Sequence, residues 1–182
     1  MDFETLPIDR RNLRFLAKML RKNFKIKTLE FPVLKFLEKI HLISRDCCKY
    51  VVDEDSKFEP NVMAYLEYTN GINDFVIHIR ESVYIKAYSD DHASIGFIMH
   101  EISHYLLIGV LGIKPINTSI TYTTKGIPAF RSAEWQAKAF CGEIMIPYDI
   151  CKDMSFDEIY EKTKSSKEQT NYFLKNIVKK EQ

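Results

Sequence analysis

Residues 100–104 read His100-Glu101-Ile102-Ser103-His104, with Ile98-Met99 before them and Tyr105-Leu106-Leu107 after. On an α-helix, positions four apart lie one turn apart on the same face, so the two imidazoles can converge on one ion. Zinc accepts His nitrogens at ~2.0–2.1 Å and keeps a position for water when three protein ligands hold it. Glu101 sits about 100° round the helix from His100, where a carboxylate reaches that water without displacing it. Zinc lowers the pKa of such water to roughly 7 and the carboxylate can take its proton, which is the chemistry of the H-E-x-x-H pattern. Two histidines and a glutamate in so apolar a helix need partners, because unpaired buried polar groups are costly. A metal ion supplies one.

A third ligand is required. The next helix opens Ser132-Ala133-Glu134-Trp135-Gln136-Ala137. Glu134 stands in its first turn, where the helix dipole favours a carboxylate even without a metal. Glu143 stands nine residues later, near the other end of the same helix. Spacing leaves both open.

Outward from this centre, the pattern predicts helices and a small sheet. Residues 9–24 form an amphipathic helix on Leu13, Leu16, Ala17, Leu20 and Phe24, with Asp9 as its N-cap. A second helix follows Pro32. Residues 62–68 and 75–79 read as strands, with Asn70-Gly71 as the hairpin signal between them. A short helix over 81–88 precedes a longer one over about 90–108, capped by Asp90 or Asp91 and ended by Gly109 or Gly112. Residues 112–131 are a long connection, with 118–124 as a short extended segment, and connections of that length are often functional. Ser132 caps a helix that Pro147 stops. Two short helices, over 156–163 and 167–179, close the chain. The expected fold is α+β, with helices flanking a small, mostly antiparallel sheet. Residues 1–150 form the main domain and residues 151–182 a helical segment packed on it or appended to it.

The 182 residues include 46% hydrophobic and 28% charged side chains, an ordinary globular balance able to bury a core unaided. The net charge of +1, from 26 basic and 25 acidic groups, gives no support to nucleic acid as a direct ligand. Cys47, Cys48, Cys141 and Cys151 follow no metal-type spacing and suit reduced thiols. The start, Met1-Asp2-Phe3-Glu4, has neither a basic nor an apolar leader region. The longest apolar run, Ile102 to Leu111, is interrupted by Ser103, His104 and Gly109, short of a membrane span. The expected location is the cytoplasm, with no membrane partner.

Two segments together resemble a known family. His100-Glu101-Ile102-Ser103-His104-Tyr105, and Ser132 through Pro147 (SAEWQAKAFCGEIMIP), are similar to the ImmA/IrrE family of metallopeptidases, whose members carry H-E-x-G-H and then E-x-x-A-x-x-F-A, an apolar run and Pro. The resemblance covers roughly residues 60–150. It implies a zincin-like, gluzincin-type site: His100 and His104 as zinc ligands, Glu101 as general base, and Glu134, three before Ala137, as third ligand. It further implies an endopeptidase that cleaves a helix-turn-helix transcriptional repressor, often from phage or a mobile element, and so relieves repression. Ser103 replaces the usual Gly and Cys141 the usual Ala, and neither removes a catalytic group. Members often carry another His shortly after the first motif, where this chain has Ile108-Gly109.

The alternative is a non-catalytic regulator, with a metal stabilising the fold of a protein that binds a repressor or toxin. Glu101 beside the ligands favours the enzyme, since a structural site has no need of it. Tyr105, Tyr122, His78, His92 and Arg131 are candidates for a second oxyanion donor, and the sequence assigns the role to none of them. The strand 75–79, placed at the sheet edge near the zinc, would pair with an extended substrate. The basic face of residues 10–27 fits the solvated side of a core-packing helix. The C-terminal region has a helix-turn-helix look without the clustered cations of a recognition helix, so docking or capping is its expected role.

Overall fold

The structure is a computed structural model that describes residues 2–116 and 126–179. The extended segment expected over 118–124, and Tyr122 with it, lies outside the described residues.

Helix α1 (Arg10–Asn23) begins at Asp9, whose carboxylate accepts the Asn12 amide at 2.8 Å. It buries Leu13, Ala17 and Leu20 against α6 (Ala133–Met145). The pattern also places one cation inside: Arg21 is 8% exposed. Its guanidinium donates to the Ile144 carbonyl at 2.7 Å, to Leu29 at 3.0 Å and to Thr28, tying the end of α1 to the end of α6. The helix expected after Pro32 is broken into α2 (Val33–Glu38) and α3 (Ile40–Ile43).

The sheet has three strands, β1 (Cys48–Asp53), β2 (Ala64–Thr69) and β3 (Asp74–Arg80), in the order β1-β3-β2. β2 and β3 form the expected hairpin, with Asn70 and Gly71 both at positive φ in the turn. β1 pairs with the other side of β3, in parallel, from Cys48 opposite Phe75 to Asp53 opposite Arg80. The sheet is therefore mixed, one parallel pair and one antiparallel, rather than mostly antiparallel. The same pairing corrects the placement of residues 75–79. β3 is the central strand, with Phe75, Ile77 and Ile79 almost wholly buried, and has no free edge for a substrate. The edge on the side of the site belongs to β2.

After α4 (Glu81–Tyr88), the core helix α5 (His92–Tyr105) starts at Asp91, which accepts the Ser94 amide at 2.8 Å. Asp90 instead takes a left-handed turn and pairs with Lys164 at 2.7 Å. Beyond Tyr105 the helix widens into a π-helical turn, Leu106–Val110, and ends near Gly112, whose φ is +68°. The stretch His92–Val110 has the length and apolarity of a membrane span, yet 67% of it is buried inside the molecule, as befits a core helix. Gly109 lies within the widened turn because a Cβ there would meet the Tyr105 ring at 2.7 Å and the Phe75 ring at 3.0 Å. Gly109→Ala is expected to destabilise the protein by about 1–3 kcal/mol through overpacking, read as a lower midpoint in urea unfolding.

Helices α7 (Tyr148–Cys151), α8 (Phe156–Thr163) and α9 (Lys167–Tyr172), the last extended by a π-helical turn over Phe173–Val178, follow α6. Ile159, Phe173, Ile177 and Val178 belong to the same apolar core as α5 and α6. The Gln169 amide donates to Cys141 Sγ on α6 at 3.3 Å, and its side-chain oxygen lies against Gly96 on α5.

Candidate metal centre

Two perpendicular requirements meet where α5 crosses α6. α5 is buried on most of its surface, and its polar residues His100, Glu101 and His104 sit on the part that opens into a cleft of about 1270 Å³. α6 brings Glu134 to the same cleft from its first turn. His100 Nε2 and His104 Nε2 are 3.2 Å apart. Glu134 Oε2 is 3.3 Å from His100 Nε2, and Glu134 Oε1 is 3.5 Å from His104 Nε2. These separations can be compared with a coordination shell: tetrahedral zinc with bonds of ~2.0–2.1 Å sets its ligand atoms about 3.3 Å apart. The donor set and its edges fit a metal ion, and these three residues can hold one. Among the described residues no other group of His, Cys, Asp or Glu converges in this way.

The electrostatics agree with the geometry. Burial pushes the Glu134 carboxyl up, but the bonds to His100 and His104 outweigh it and leave the group well below the usual carboxylate range, an anion aimed at two imidazoles. At Glu101 burial prevails and pushes the carboxyl up to about 7, against the proximity of His100 and a backbone hydrogen bond from Leu66 on β2. A carboxyl in that range can both take and return a proton near neutrality.

The N-terminal strap sets the position of Glu134. Asp2 accepts the Glu134 amide at 3.0 Å and the Ser132 hydroxyl at 2.6 Å. Ser132 in turn caps the helix by accepting the Trp135 amide at 2.9 Å. The Phe3 carbonyl takes the Ala133 amide at 3.1 Å, and Thr5 donates to the Arg131 carbonyl at 2.8 Å. Thus three backbone amides at the start of α6 have partners, which fixes the direction in which Glu134 leaves the helix. The role of Asp2 was not read from the sequence. An acid at residue 2 has no local pattern to announce a partner 130 residues away.

Glu143, the competing carboxylate, is elsewhere. It is 3% exposed and faces α1, with Arg10 at 3.1 Å and Arg14 at 2.9 Å. Arg14 also lies 3.8 Å from the centre of the Tyr148 ring. Ser103 is fully buried and donates to the Met99 carbonyl at 2.7 Å, so the hydroxyl fits a position where the helices pack closely.

The remaining sequence candidates among the described residues have partners outside the triangle. His78 is held between Asp53 at 2.8 Å and Glu67 at 2.9 Å and stacks on Tyr65 with ring centres 4.6 Å apart. His92 packs on Tyr160 with ring centres 4.3 Å apart, at the far end of α5. Tyr105 packs on Phe75 in the core, and Arg131 pairs with Glu4. The cleft that holds the histidines is also lined by Ala64, Tyr65 and Leu66 of β2, Phe97 of α5, Lys138 of α6 and Tyr172 of α9. Phe97, Tyr65 and Tyr172 are each more than 40% exposed there.

Comparison with known protein families, with curated proteins and with solved structures found no match.

Proposed function

We propose that this protein is a zinc-dependent endopeptidase of the ImmA/IrrE type, with a zincin-like fold and a cytoplasmic site of action. The single observation that carries the reading is the triangle of His100, His104 and Glu134 with a buried carboxyl, Glu101, on the turn between the two histidines. Zinc held there supplies a Lewis acid and lowers the pKa of water at its open position. The protein's own contributions are then separable. His100, His104 and Glu134 fix the ion, Glu101 accepts a proton and returns it to the leaving amine, and the Leu66 N–H orients Glu101. The cleft is larger than the ~300–1,000 Å³ of a small-molecule pocket and has exposed aromatic walls, which suits a segment of polypeptide. A helix-turn-helix repressor, from phage or a mobile element, is the substrate that the sequence resemblance suggests, and its cleavage would relieve repression. Three side chains able to hold an ion at the wall of an open cleft favour this reading over a metal-stabilised regulator of a repressor or toxin, whose site would be closed.

The test is a comparison of new protein N-termini in cells expressing wild type or Glu101→Gln, with zinc content measured in both. The expected result is equal zinc, and a cut within a DNA-binding repressor seen with wild type and reduced at least about a thousandfold in the variant. The same cut with both proteins would remove Glu101 from the chemistry. Zinc in both with no cut in either would favour the regulator.

A further inference from the structure

Most charges along the cleft are already matched. Arg10 meets Glu143 at 3.1 Å, and Lys57 meets Asp53 at 2.9 Å. Glu134 faces the histidines, and Glu101 is buried. Three exposed charges on the lining have no ion-pair partner among the described residues: Glu59 in the loop before β2, Glu168 on α9, and Lys138 on α6. Of these, only Lys138 shares an element with a metal-centre residue. It stands four residues beyond Glu134, one turn along the same helix face, so the two Cβ atoms are about 5–6 Å apart. An extended chain covers that distance in about two residues.

We infer that Lys138 selects substrates carrying an acidic side chain one or two residues from the bond to be cut. The inference rests on the metallopeptidase reading. An ammonium on a flexible stem makes charge-assisted hydrogen bonds to a carboxylate at ~2.7–2.9 Å. Trp135 and Tyr172 line the same cleft, each with the Arg10 guanidinium over its ring, and aromatic walls of this kind strengthen such a bond relative to open water. Its neighbours on α6 leave that position to it alone: Ala139 and Gly142 also line the cleft and carry no charge, and a Cβ on Gly142 would meet only open space. A neutral residue at the same place would leave the approach to the centre governed by Glu59 and Glu168, which favour cations. Lys138 reverses that preference close to the reacting bond.

The test uses zinc-loaded full-length protein and fluorescent tripeptide hydroxamates, which anchor on the metal. The probes are identical except for Asp, Asn or Lys at each position in turn, and each is made with a C-terminal carboxylate and with a C-terminal amide. Dissociation constants are read by anisotropy for wild type, Lys138→Met and Lys138→Glu, all checked for equal zinc. The expected result is at least tenfold tighter binding of one carboxylate-bearing probe than of its neutral isostere. That ratio should fall to within twofold in Lys138→Met and turn in favour of Lys in Lys138→Glu. The ratio should be the same for the acid-ended and amide-ended probes, and a response to the chain end alone would overturn the inference. Equal binding of Asp and Asn probes, or a preference that survives Lys138→Met, would overturn the inference and leave the metallopeptidase reading intact. A wild-type protein that holds neither zinc nor any hydroxamate would overturn both.

Discussion

Glu134→Ala protein, purified without added metal or a histidine tag, is expected to hold less than about a tenth of the zinc found in wild type. Residues that only support a ligand contribute 10–100-fold to metal affinity, so removing one of three direct ligands should cost more than about 100-fold. The substitution is clean for two reasons. The carboxylate is a third exposed, so its loss leaves no filled core position empty. The hydrogen bonds that hold the start of α6 run to the Glu134 amide and to Ser132, and both remain in the variant. Elemental analysis alongside circular dichroism separates loss of metal from loss of fold. Near-stoichiometric zinc in Glu134→Ala would remove Glu134 from the centre.

Glu143→Ala should do the reverse, keeping zinc and losing stability. The Glu143 carboxylate is 1% exposed, with Arg10 and Arg14 both turned in toward it from α1. Removing one partner of a buried ionic cluster typically costs about 3–5 kcal/mol, because the remaining charge is left uncompensated. Here Arg10 and Arg14 are 21% and 14% exposed and recover part of their hydration, which places the effect toward the lower bound. For a chain of this size each kcal/mol moves Tm by about 2–4 °C, so a fall on the order of 10 °C is expected in calorimetry. A change below about 2 °C would mean that the α1–α6 contact does not depend on this ionic cluster. The two acids on one helix, nine residues apart, thus serve different purposes, and the pair of variants tells them apart.

That distinction shows what the sequence makes legible. His100, Glu101 and His104 lie within one helical turn, so their mutual geometry follows from helix periodicity alone. Glu134 against Glu143 could not be settled in the same way. The choice depends on which face of α6 meets α5 and which meets α1, and that is decided by long-range packing. The helices with clear caps, at Asp9, Asp91 and Ser132, are also legible, since capping is a local bond between a side chain and an amide two or three residues on. β1 went unread although Lys49-Tyr50-Val51-Val52 carries β-branched and aromatic residues. The strand is short, and its exposure does not alternate cleanly. Without β1, β3 looks like an edge. With it, β3 becomes the centre and β2 inherits the side facing the metal centre. The widening of α5 at Leu106–Val110 leaves no helical signature beyond Gly109, whose missing side chain makes room for two aromatic rings.

The strap from Asp2 to Thr5 gives the site an order of assembly. Its contacts with Ser132 and Glu134 span 130 and 132 residues. During synthesis, a nascent chain stopped before Ser132 owns both imidazoles of the centre and lacks the third ligand and the helix that presents it. Until then the strap has no partner to close upon, and contacts of such separation form late in folding. The candidate metal centre is therefore complete only once the chain has passed Glu134, and a shorter polypeptide carries two of its three side chains.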